Sequence, residues 1–172
     1  VNTFNEYLDF NSGLDLTTTR TPFSGGSGAL PGNPGAAGAV FAVGGLSLIA
    51  TLAIGMFFVR HSGMGIIPVG AAGLVLVTTY TGWINTRPFL CLIAPGLGFG
   101  LLMVVGTYFV LAGAYAPLPW VVAAVPFSLV NNLLLLNQYP DIQADIRAGR
   151  RHAPIAYGTK RSNWLYAGFA LA

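Results

Sequence analysis

The sequence predicts an all-α fold, a polytopic transmembrane helix bundle, and three observations carry that prediction. Hydrophobic residues make up 54% of the 172 residues and charged residues only 8%, with a mean hydropathy of +0.67. A soluble domain carries about 25% charged residues. Residues 88–140 contain no Asp, Glu, Lys or Arg. Every acid falls in one of two clusters: Glu6, Asp9 and Asp15, then Asp141 and Asp145. At ~20 residues per crossing, the length allows a handful of spans in one domain over residues 1–172.

Each element can be justified in turn. The opening stretch NEYLDFNSGLD reads as a helix with Asn5, Glu6 and Asp9 on one face, since residues three and four apart are helical neighbours. Gly13 is expected to end it, leaving Asp15 in the following loop. Four charge-free segments then follow, at residues 36–59, 63–83, 89–112 and 118–137. They are long enough to cross a bilayer, and Gly, Ala and Pro recur in them as in other membrane helices. Breaks come at RHSG, NTRP and GAYAPLP, and Trp83 and Trp120 sit at span ends, where indoles favour the interface. Pro140 suits the first turn of a new helix, with Asp141 and Asp145 on one face of it. A fifth span is expected to begin near Asn163. The chain starts at Val1 and stops within the apolar run SNWLYAGFALA, which reads as a fragment lacking helices at both ends.

Four spans between the two acidic clusters place both on the same side of the membrane. Arg20, Arg87, Arg147, Arg150, Arg151, Lys160 and Arg161 fall on that side and only Arg60 opposite, so the positive-inside rule makes it cytoplasmic. A count of three or five spans would destroy this result. The single cysteine, Cys91, lies in an apolar segment and reads as a buried small hydrophobe.

Carboxylates this close together at a bilayer repel one another and are costly to desolvate. A divalent cation removes both penalties. The donors are hard oxygens without His or Cys, which favours Mg²⁺, an ion typically held by one or two carboxylates plus phosphate oxygens and water. Arg20, Arg150 and Arg151 can supply the bidentate contacts a diphosphate prefers. A solvated loop forming surface ion pairs is the competing reading for either cluster alone. Two same-side clusters holding every acid in the chain argue against it.

These residues resemble the UbiA superfamily of intramembrane aromatic prenyltransferases, which carries an N-D-x-x-D type motif and, four helices later, a D-x-x-x-D motif. NEYLD and DIQAD occupy those places. RTPFSGGSGALP is similar to the family's Arg-Pro and Gly segment. NQYPD and IRAGRRHAPIAYG resemble the 1,4-dihydroxy-2-naphthoate prenyltransferase branch, with its D-x-x-x-G-K-R-T run. Departures are Glu6 for Asp, Gly13 where a second acid is usual, Arg150 and His152 for Lys and Thr, and Phe99 where an acid is common.

The resemblance implies a fragment of a roughly nine-helix fold. It also implies Mg²⁺-dependent transfer of a polyprenyl group from its diphosphate to an aromatic acceptor, 1,4-dihydroxy-2-naphthoate in menaquinone biosynthesis. Other acceptors of the superfamily (4-hydroxybenzoate, homogentisate, chlorophyllide, glyceryl phosphate) stay open. Asp9, Asp141 and Asp145 are the expected catalytic residues, and Glu6, Asp9, Asp15, Asp141 and Asp145 the metal ligands. Asn5, Arg20, Asn137, Tyr139, Arg150, Arg151 and Lys160 are the expected substrate contacts. The partners are then a prenyl diphosphate, a small aromatic acceptor and the lipid bilayer of a bacterial or archaeal cell, with no nucleic acid and no obligate protein partner.

Simpler readings stand beside these. Lys160 and Arg161 equally suit a positive-inside role, and Arg147 a pair with Asp141 or Asp145. Asn131, Asn132 and Asn137 suit bonds to neighbouring helices, with a metal or diphosphate contact open to Asn137. Tyr7 and Tyr139 suit interfacial anchoring, SGGSG a flexible loop or an anion nest, and GLGFG helix packing. Neither His61 nor His152 has metal-ligand company in the sequence. A transporter would place carboxylates inside spans, a CDP-alcohol phosphotransferase would show D-G-x-x-A-R, and a soluble prenyl-diphosphate synthase would lack charge-free spans. A non-catalytic binding homologue remains a rival.

Overall fold

The computed structural model describes residues 2–17 and 26–172, and every element in them is helical. Helix α1 (Asn2–Asn11) ends where Gly13 turns to φ 78°, and its Ser12 and Gly13 amides bond back to Leu8 and Phe10. Asp15 does not lie in a loop. It sits, buried, in the short helix α2 (Leu14–Thr17). After α3 (Ala29–Gly32) comes α4 (Ala37–Ser62), against which α1 packs through Phe4, Tyr7 and Phe41.

Three helical stretches are long and apolar enough to cross a membrane: Pro34–Ser62, Pro88–Ala112 and Pro117–Arg147. The expected second span is shorter than its sequence allowed. Its helical part, Met64–Thr79, includes α5 (Ile67–Thr79) and spans about 24 Å against a hydrocarbon core of about 30 Å. The chain then turns through Trp83 and a short 3₁₀ segment, Ile84–Thr86. Most of α4 exposes large apolar side chains such as Leu46, Ile49 and Phe57, as a helix facing lipid does.

The stretch Pro88–Ala112 is made of α6 (Pro88–Pro95), a π-helical segment (Gly96–Leu102) and α7 (Met103–Ala112). Its GLGFG run packs closely against the backbone around Phe127. A Cβ at Gly96 would stand 2.5 Å from the Phe127 carbonyl oxygen, and one at Gly100 2.5 Å from the Phe127 nitrogen. Asn131 Oδ1 accepts the Gly96 N–H at 2.7 Å, and Asn132 donates to the Tyr166 carbonyl at 3.1 Å. These two amides serve helix packing, as the simpler reading had it.

After α8 (Pro117–Val122), helix α9 runs unbroken from Ala124 to Arg147. The expected helix start at Pro140 is therefore corrected. Pro140 withholds one N–H from the Leu136 carbonyl, and the helix tolerates that loss near its end. Helix α10 (Ala153–Leu171) begins at Ala153 rather than near Asn163, and a kink at Gly158, φ 78°, divides it. Its first part returns into the bundle. Ala153 packs with Leu92 and Leu135 in a buried cluster.

Candidate active site at the bundle end

Local backbone chemistry brings the second acidic motif back upon itself. Helix α9 closes with Ala148 and Gly149 amides on the Ala144 and Ile146 carbonyls, and Gly149 takes φ 74°, the left-handed turn glycine adopts most readily. The next residue, Arg150, then bonds through its own N–H to the Asp145 carbonyl at 2.9 Å. The Arg151 N–H reaches the Asn85 carbonyl at 3.0 Å, tying this loop to the Ile84–Thr86 turn.

Arg150 is the meeting point of the two motifs. One guanidinium nitrogen donates to Asp9 Oδ1 and the other to Asp145 Oδ1, the latter at 3.0 Å. The two acidic clusters therefore lie at one end of the bundle. Asp145 is buried, and its second oxygen pairs with His152 Nε2 at 2.9 Å. Burial raises the Asp9 carboxyl above its ordinary pKa, and the opposing pull of Arg150 does not cancel it. Burial works against the Arg150 charge too, but Asp9 and Asp145 outweigh it and raise that pKa further.

Beside this network lies a polar cavity of about 140 Å³, whose walls include Asn5, Asn137, Asp141, Asp145 and Arg150. A second cavity of about 590 Å³ is almost wholly apolar and runs between α1, α4, α5 and the π-helical segment. Asn5, Tyr80 and Leu134 line both, so the two adjoin. Asn5 Oδ1 accepts the Thr81 hydroxyl, which fixes this amide at the junction.

Not every expected contact reaches the cavity wall. Glu6 accepts Ser27 Oγ at 2.6 Å, and Asp15 lies buried in α2 close to Gly26; neither lines the cavity, and Asp9 joins it only through Arg150. Three side chains expected from sequence to contact substrate lie elsewhere than on this wall. Tyr139 donates to Asn163 Oδ1 at 2.6 Å, and Arg151 and Lys160 are exposed; none lines the cavity. Asp145 pairs with Arg150 and His152 rather than Arg147. Arg20 and the first part of SGGSG lie outside the described residues. Conversely, Tyr80, Asn85, Gln138 and His152 line the cavity without having been singled out for it.

The donor set fits a hard cation. Asp141, Asp145, Asn5 and Asn137, all oxygen-bearing side chains, line one small polar cavity. Among the described residues no three His, Cys, Asp or Glu side chains converge, so the protein offers part of a shell and not a closed cage. Mg²⁺ suits that, since it keeps water and takes substrate phosphate oxygens.

No curated protein and no solved structure matches this sequence at a significant level. The family model described as the UbiA prenyltransferase family matches residues 1–172. Its members are membrane helical bundles that transfer prenyl groups to aromatic acceptors and generally use Mg²⁺ bound by acidic motifs. With that match over the whole length, the chain belongs to the UbiA prenyltransferase family.

Proposed function

We propose that this protein transfers a polyprenyl group from its diphosphate to a hydroxylated aromatic ring, in a Mg²⁺-dependent reaction at the cytoplasmic membrane face. One observation carries the reading: a polar cavity walled by acidic and cationic side chains adjoins an apolar one, with Asn5, Tyr80 and Leu134 lining both. A prenyl diphosphate has that same division. Its tail suits the apolar cavity and its head the polar one. The D-x-x-x-G-R-R run after Asp141 favours 1,4-dihydroxy-2-naphthoate, and so menaquinone biosynthesis, as the acceptor assignment.

Asp141, Asp145, Asn5 and Asn137 are the residues that would hold Mg²⁺ with the diphosphate. Bound there, the ion supplies positive charge against the departing oxygens. Arg150 leaves part of its pairing with Asp9 and Asp145 to donate to the same group, a preorganised counter-charge in a site of low dielectric. The allylic C–O bond then breaks with its electron pair on the leaving diphosphate. A ring carbon of the acceptor forms the new C–C bond and releases a proton or its carboxyl group. Asp9 acts through Arg150 rather than on the substrate directly.

The test is transfer from a radiolabelled prenyl diphosphate to a panel of aromatic acceptors in membranes, with and without Mg²⁺. Transfer that needs Mg²⁺, and is lost in Asp9→Ala and Asp141→Ala, is the expected result. Diphosphate binding equally strong in both variants, with no transfer to any acceptor by the unmodified protein, would overturn the reading.

A further inference from the structure

Gln138 stands out on the cavity wall. It is only 7% exposed, and among the described residues its Oε1 is buried with no hydrogen-bond partner. Its Nε2 is already committed to the Cys91 sulfur at 3.4 Å. That arrangement fixes which end of the amide remains free. A buried acceptor left unpaired is costly, so its retention beside a cavity calls for an explanation. His152 adds a second such atom: Nε2 faces Asp145, and Nδ1 is buried without a partner among the described residues.

The position of Gln138 on α9 gives the orphan its meaning. Leu134, Gln138, Asp141 and Asp145 follow one another at intervals of four, three and four, so they form one stripe along the helix. Leu134 marks the junction with the apolar cavity, and the two carboxylates mark the cation end. Gln138 lies between them, about 6 Å along the axis from Leu134. An aromatic ring resting on Leu134 and Tyr80 would bring one substituent to Gln138 and expose a ring carbon to the apolar cavity.

We propose that Gln138 is the acceptor-binding residue of this cavity, and that its Oε1 accepts a hydrogen bond from a phenolic hydroxyl. The assignment rests on the prenyltransferase reading above and adds the group through which the acceptor is recognised. A free O–H satisfies the amide oxygen. A carboxylate or an ether at the same point would set acceptor against acceptor.

Equilibrium binding of 1-naphthol and of 1-methoxynaphthalene to the protein in lipid nanodiscs tests this, with partition into empty nanodiscs subtracted. The expected preference for the hydroxyl is tenfold or more, which is about what one lost bond to a buried acceptor produces. Gln138→Met, similar in volume, should erase the preference while prenyl diphosphate binding, measured on the same sample, persists and certifies the fold. Gln138→Asn, which withdraws the amide by one methylene, should show an intermediate preference. No preference in the unmodified protein, or a preference unchanged in Gln138→Met, overturns the proposal. A hydroxyl preference lost in Gln138→Met, together with no prenyl transfer by the unmodified protein, would uphold the subsite and defeat the transferase reading separately.

Discussion

Replacing Arg150 by Met should destabilise the protein, and Mg²⁺ should restore part of the loss. The substitution keeps an apolar stem of similar reach and removes the guanidinium that joins α1 to the end of α9. Side chains of Arg150 and Asp9 are 22% and 19% exposed, and that of Asp145 only 6%, so the pairs are mostly shielded from water. Breaking a buried pair by removing one partner costs about 3–5 kcal/mol. The lower end applies here. Asp145 keeps His152, and Asp9, whose pKa is already raised by burial, can take up a proton and shed its charge. For a chain of this length about 3 kcal/mol corresponds to a fall in Tm of roughly 6–12 °C. Arg150→Lys retains a point charge without the two-pronged fork and should fall between. Thermal unfolding in nanodiscs, with and without Mg²⁺, measures all three proteins. Because Arg150→Met leaves carboxylates without their counter-charge, added Mg²⁺ should raise its Tm more than that of the unmodified protein. A Tm within about 2 °C of the unmodified protein, or equal stabilisation of both by Mg²⁺, would refute the reasoning.

Three further outcomes are expected. Gly96→Ala should destabilise by about 1–3 kcal/mol, since the new methyl meets the Phe127 carbonyl, whereas Gly70→Ala, with open space around its Cβ in the apolar cavity, should leave Tm unchanged or slightly higher; calorimetry on the pair checks this. Asp9 has a folded-state pKa above its ordinary 3.8, so the native state binds this proton more tightly than the unfolded chain. Its contribution to stability therefore falls as pH rises from 3.8 to that raised value and is flat above it. Melting curves across that acid range should show the unmodified protein gaining on Asp9→Asn as pH falls. Thr81→Val should cost about 0.5–1.5 kcal/mol by removing the donor to Asn5, and should weaken prenyl diphosphate binding through the freed Asn5 side chain; a titration with the diphosphate reads both effects.

The bundle was legible because lipid removes ambiguity: a stretch such as residues 89–112, free of charge, has few other uses. The two acidic motifs were legible because their spacing repeats the helical period. Pro140 was misread because a proline at the start of a charged segment looks like a helix start, while a membrane helix can carry one through its end. The partners of Asp9 and Asp145 were beyond reach for a different reason. Arg150 lies far from Asp9 in sequence, and only the turn at Gly149 and the packing of α1 bring them together. Tyr139 was singled out in the sequence and Gln138 was not, although helical geometry puts Gln138 on the stripe of the carboxylates. Gln138 is four residues after Leu134 and three before Asp141; Tyr139, one position on, points about 100° away and packs toward α10.

The unbroken course of α9 through Pro140 has a chemical consequence. From Leu134 to Asp145 the helix advances about 16 Å in one register. Under the proposed function, that rigid length would set the separation between the end of the apolar chain, the amide proposed to read a hydroxyl, and the carboxylates proposed to face the diphosphate. A helix newly started at Pro140 would have put a flexible joint between the second and third of these, and with it the reacting carbons out of fixed relation. Bond formation at an allylic carbon gains most from reactants held in line before the leaving group departs. In this reading the proline is tolerated because the register across it is what the site requires.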